Sequence, residues 1–187
     1  MLNADRPLIA QSHLSLLYLR GGVNLTCSGY NNYTGPFFYM PSVNLTPGFR
    51  ILQETDFALV MTMPVSIGKS TYDFWTDYST YGIDVPVMLE FNLGASTGNS
   101  RTTGNGITIG AGAGYLNLGE YTYLDDSDMY QTRSMDFWGY RFCFGYSFGK
   151  DPNGDRTMVM INYGRSFTGP LKYTFTIGLY LIMGNRK

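Results

Sequence analysis

A two-residue rhythm runs through the chain. In the stretch from Phe57 to Ile67, the odd positions are large and apolar and the even ones mostly small or polar. Ile83 to Leu93 repeats the pattern, with Asp84, Glu90 and Asn92 on the minor face, and Tyr173 to Leu181 repeats it again. Successive side chains of a strand point to opposite faces, so each segment has one greasy face and one mixed face. Strands of soluble proteins run to about 5–6 residues, whereas a tilted strand crossing a bilayer needs about 9–11. Pattern and length together predict a transmembrane β-barrel.

Eight such segments are legible, at roughly 14–26, 37–52, 57–67, 83–93, 106–118, 135–148, 157–167 and 173–183. They predict an all-β fold, an eight-stranded antiparallel up-and-down transmembrane β-barrel, with residues 1–187 forming one domain. Helical periodicity does not persist anywhere. Pro64 and Pro86 fall on the minor face inside strand patterns. A proline cannot donate to a ladder, so both are read as bulge positions. The links 28–36, 69–81 and 120–134 are long and rich in Tyr, Asp, Asn and Ser, while 53–56 and 150–155 are short. Long loops on one side and short turns on the other suit an outer-membrane barrel. An even strand count then puts both termini on the short-turn side, which is periplasmic. Two links break the alternation: 95–105 is long for its side, and 168–171 is short.

Composition narrows the classes. Charged residues are 14% of the chain against about 25% in an average one. Aromatics reach 16%, and there are 23 glycines. Few charges suit a lipid-facing surface, and glycine suits a crowded lumen. The net charge of -1 gives no electrostatic case for nucleic acid. No apolar run is long enough for a transmembrane helix. Residues 1–7 carry no apolar export signal, which reads as the start of a mature chain. Cys27 and Cys143 make neither a disulfide framework nor a zinc site. Two free thiols are the favoured reading, with a single bridge left open.

Ile83-Asp-Val-Pro-Val-Met-Leu-Glu-Phe91, the Gly-rich Gly110-Ala-Gly-Ala-Gly-Tyr115 and the eight alternating segments carry a family resemblance. Nearly the whole chain resembles the small OmpA/OmpX-type outer-membrane barrels, and the two motifs look like the Bacteroidota "outer membrane protein beta-barrel" group. The resemblance implies fold far more than function. Such barrels often end on an aromatic residue, whereas this chain ends Leu181-Ile-Met-Gly-Asn-Arg-Lys187.

Eight strands enclose a lumen just filled by side chains. Arg20, Glu90 and Arg141 are expected to point into it near mid-strand, with Asp84 and Arg50 nearer the ends. A charge in such a lumen needs a partner, so these residues are read as an ion-pair network, with a gated ion path as the sharper alternative. His13 is the only histidine, which leaves no dyad or histidine metal site. It is read as a neutral surface residue, and no catalytic residue, metal or cofactor is assigned. Asp125, Asp126 and Asp128 lack the Gly and Glu of a calcium loop and are read as solvated. The Gly repeats of 104–112 are followed by no helix, which rejects a phosphate-binding loop.

Aromatic residues run past the strand ends. Tyr72, Phe74, Trp75, Tyr78, Tyr121 and Tyr123 are taken as a loop binding surface, beside a girdle role for many of the chain's aromatics. Arg165 and Lys172 fall where lipopolysaccharide phosphates would lie. The expectation is therefore a non-enzymatic outer-membrane barrel, acting through long extracellular loops as an accessory subunit or surface-binding protein. Its partners would be outer-membrane lipid, lipopolysaccharide and other outer-membrane proteins. A small porin and a soluble lipocalin-like binding barrel are the alternatives.

Overall fold

The computed structural model describes residues 17–29, 37–54, 56–72, 79–97, 104–124, 130–149 and 155–183. Their strands are β1 (Leu17–Gly29), β2 (Phe37–Gln53), β3 (Phe57–Thr62), β4 (Val65–Tyr72), β5 (Ser79–Gly94), β6 (Gly106–Leu124), β7 (Tyr130–Phe148), β8 (Arg156–Thr168) and β9 (Tyr173–Ile182). All pairings are antiparallel, and β1 pairs with both β2 and β9, so the sheet closes on itself. β3 and β4 each pair with β2 on one side and β5 on the other. They are two halves of one stave, and nine segments make an eight-stave barrel of the outer-membrane type.

The alternation decides which face goes where. Val43, Leu45, Ile67, Ile109, Phe142, Phe144, Ile177 and Leu179 all point outward and are exposed. The inward positions are buried and carry Ser, Thr, Asn and charge. A soluble binding barrel would reverse this. An exposed apolar surface wrapping a whole molecule has no stable place in water but matches hydrocarbon. On β7 the outward residues from Trp138 to Phe148 make a band about 25 Å tall once strand tilt is allowed for. Aromatic rings mark its two edges: Tyr140 against Phe167 at the loop end, with centroids 5.7 Å apart, and Phe57 against Phe91 at the turn end, at 5.9 Å.

Several boundaries move. The third stave runs on to Tyr72, into residues expected as loop, and β5 starts at Ser79 instead of 83. β6 and β7 continue to Leu124 and back from Tyr130, as a ribbon past the band. There Glu120, Thr122 and Tyr130 to Ser134 are exposed on both faces. The first expected strand begins at 14, and its residues before Leu17 lie outside the described ones.

The proline reading needs correction. Thr62 pairs with Met88 and Ser66 with Asp84, so Pro64 stands opposite Pro86 with no extra residue on either side. Neither is a bulge. The ladder is interrupted between them, which is why the stave reads as two segments. The actual bulges are at Arg50/Leu52, Asn117/Glu120 and Trp138/Gly139.

Candidate functional site

The lumen is the chemically distinctive region, and it is stratified. At its turn end, the 3-10 turn Ala95–Thr97 folds into the barrel mouth and is fully buried. Ser96 shares a hydrogen bond of 2.8 Å with Ser147 across the mouth. Arg50, 2% exposed, donates to the carbonyls of Leu17 and Thr97. Arg156 reaches the Gly104 carbonyl at 3.5 Å. This explains the link that was too long for its side: its first turn fills the mouth.

The middle layer holds Arg20, Glu90, Arg141 and also Asp84, which was expected nearer a strand end, drawn together as two ion pairs. Arg20 and Glu90 meet fork to fork, with Nη1 to Oε2 at 2.7 Å and Nη2 to Oε1 at 2.6 Å. Both are essentially inaccessible, at 1% and 0%. Thr62 donates a further bond of 2.7 Å to Glu90 Oε1. The guanidinium lies over the ring of Tyr180, 5.5 Å from its centroid, and over Tyr18 at 5.8 Å. Bidentate, multiply hydrogen-bonded geometry is what lets an ion pair survive burial. Arg141 Nη2 binds Asp84 Oδ1 at 2.6 Å, Nη1 takes Thr174 as a second acceptor at 3.2 Å, and Phe137 covers the guanidinium at 4.6 Å. Glu90 and Asp84 are six residues apart on one strand face, about 20 Å along β5. Asn24 and Asn44 both donate to Ser66, at 3.1 and 2.8 Å, and Thr46 donates to Asn44 at 2.6 Å. A cavity of about 20 Å³ lies in this layer, lined among others by Arg20, Asn44, Ser66, Asp84, Arg141 and Tyr180.

The loop end is apolar. Phe38, Met40, Leu116, Leu118, Met135, Phe137 and Leu171 form one buried cluster. Tyr72 and Tyr121 pack on it, 4.8 Å apart between centroids, with Phe38 5.6 Å from Tyr72 and 5.7 Å from Tyr121. Both tyrosines thus lie over the lumen, half-buried. Tyr121 gets there because the Asn117/Glu120 bulge shifts the strand phase by one. Phe74, Trp75 and Tyr78 lie outside the described residues, and Tyr123 stands in β6 opposite Gln131. The loop surface expected from these six is thus not assembled among the described residues. Phe38, expected among the girdle and loop aromatics, is instead buried in this cluster, and its even position on β2 is the signal of an inward ring.

His13 and the Asp125–Asp128 cluster also fall outside the described residues. Among those described, no group of three or more His, Cys, Asp or Glu could hold a metal ion, and both cysteines are free. The lumen can therefore lock charge in place and exclude bulk solvent. Among the described residues it presents no nucleophile with a base, and no paired carboxylates across a reachable cleft.

No protein-family model matches this chain, and no curated protein sequence does. Solved structures do, at the level of fold. The attachment invasion locus protein Ail of Yersinia pestis superposes with a TM-score of 0.55 at 11% identity, over 89% of this chain and 96% of that one. Its complex with the heparin analogue sucrose octasulfate gives 0.53 at 12%, over the same shares. Neisserial surface protein A gives 0.53 at 14%, again over 89% and 96%. The class that the fold defines is the small eight-stranded outer-membrane β-barrel.

Proposed function

We propose that this chain is a non-enzymatic integral outer-membrane barrel that acts through its loop end, as an accessory subunit of an outer-membrane assembly or as a surface-binding protein. The observation that carries this reading is the β6–β7 ribbon. It extends past the apolar band, exposes both faces and holds Tyr130 at 80% exposure. A sealed, ion-paired lumen supports the same view, since it leaves the outer end as the surface on which to act. A porin is disfavoured by the buried turn at one mouth and the apolar cluster at the other. On this reading the even number of staves sets both termini on the periplasmic side, and 1–187 is one barrel domain. Arg165 and Lys172 then lie at the rim, facing lipopolysaccharide phosphates beside the lipid-facing band. Kinship with the Bacteroidota group rests on the Ile83–Phe91 and Gly110–Tyr115 motifs.

The test is a photo-crosslinker at Tyr130 in native membranes, with an identical probe at lipid-facing Ile177 as control. A defined outer-membrane or surface partner captured from Tyr130 alone, and lost when residues 120–134 are replaced by a tight turn, is the expected result. Equal labelling from both positions would refute it.

A further inference from the structure

Around the central cavity, polar side chains converge from most of the barrel wall. Asn24, Asn44, Ser66, Asp84, Asn162 and Thr176 line the cavity from six different strands. Met88, Met160, Pro64 and Pro86 make an apolar part of the lining. The apolar cluster fills the lumen above this level, and the Ala95–Thr97 turn fills it below.

Three of the polar side chains carry hydrogen-bonding capacity that the chain leaves unused. Ser66 Oγ accepts from Asn24 at 3.1 Å and from Asn44 at 2.8 Å. Both lone pairs are taken, so the hydroxyl has only its proton left to give. Among the described residues no acceptor takes that proton. Asp84 stands opposite Ser66 in the β4–β5 ladder. It bonds Arg141 through Oδ1, and its side chain keeps 8% exposure inside the lumen. Its Oδ2 accepts nothing from the described residues. Asn162 makes no side-chain hydrogen bond among them and stays only half-buried, although Met160 and Gly164 on either side of it are buried.

Opposed residues on one face of an antiparallel pair have Cβ atoms about 4.5–5.5 Å apart. A hydroxyl proton and a carboxylate oxygen that face each other over such a span, with no direct bond, are joined by a bridging water. The space is there. About 10–15 Å³ is the least that admits a water, and a cavity of about 20 Å³ holds one and not a cluster.

We infer that the central cavity is a binding site for a single long-lived water, which accepts the Ser66 proton and donates to Asp84 Oδ2 and to the Asn162 amide oxygen. No ion is called for, because Glu90 and Asp84 balance the guanidiniums of Arg20 and Arg141. The water joins two networks that no direct bond connects among the described residues. One is Asn24, Ser66, Asn44 and Thr46; the other is Asp84, Arg141 and Thr174. Asp84 is then held through both oxygens. The site is independent of what the loop end binds.

The test is water-selective NMR on the intact chain in perdeuterated detergent micelles, read at the side-chain amide protons of the asparagines. Cross-peaks to water are expected at Asn162, and at Asn24 and Asn44, whose amides both bond Ser66. Asn92 is the control. It is buried in the same lumen and bonds a threonine hydroxyl, that of Thr108, but does not line the cavity. It therefore reports any magnetisation relayed through hydroxyl protons, and no cross-peak is expected there. A missing cross-peak at Asn162 would mean a dry cavity and overturn the site. A peak at Asn92 as strong as the others would mean relayed signal and overturn it equally.

Discussion

Glu90 carries the heaviest local burden in the lumen. It is inaccessible, paired fork to fork with Arg20 and bonded to Thr62. Truncating one member of such a pair leaves the other charge buried without compensation, at a cost of about 3–5 kcal/mol. Glu90→Ala is expected to lower stability by that amount in urea titrations of the folded barrel. The joint change Arg20→Met with Glu90→Leu should cost well under the sum of the two singles, because no charge is left stranded. Equal and additive losses would mean that the pair is not coupled. That these charges face inward was legible from strand parity alone. Which carboxylate meets which arginine was not, since Arg20 and Glu90 are 70 residues apart in sequence and meet only when the barrel closes.

The strands were legible wherever one face is greasy. They were not where both faces are polar, as along Tyr130–Ser134, or where Pro64 stops the ladder. A single sequence shows a proline but not what stands opposite it, so the Pro64–Pro86 juxtaposition required the register. Bulges hide in the same way: the one at Asn117/Glu120 flips the phase and turns Tyr121 inward. Close strand approach gives a further prediction. A Cβ on Gly112 would lie 1.9 Å from the Val87 carbonyl oxygen, whereas on Gly21 its nearest neighbour is at 3.6 Å. Gly112→Ala is expected to force β5 and β6 apart and cost about 1–3 kcal/mol, while Gly21→Ala is tolerated. Matched urea midpoints of the two variants would contradict this packing.

The apolar cluster, the ion-paired middle and the buried turn together describe a barrel without an open pore. Planar-bilayer recordings of the intact chain are therefore expected to show no stable conductance steps. Phe137, fully buried in the upper cluster, is a suitable probe of that seal: Phe137→Ala should cost about 3–5 kcal/mol in stability. The outward band carries the larger claim, that this molecule lives in a bilayer. It is tested most directly by running the detergent-solubilised protein on a gel, boiled and unboiled, alongside a detergent-free sample. The account predicts that the unboiled protein migrates differently from the boiled one and that the protein drops out of solution without detergent. A protein that stays soluble in plain buffer and shows one mobility before and after boiling would contradict it.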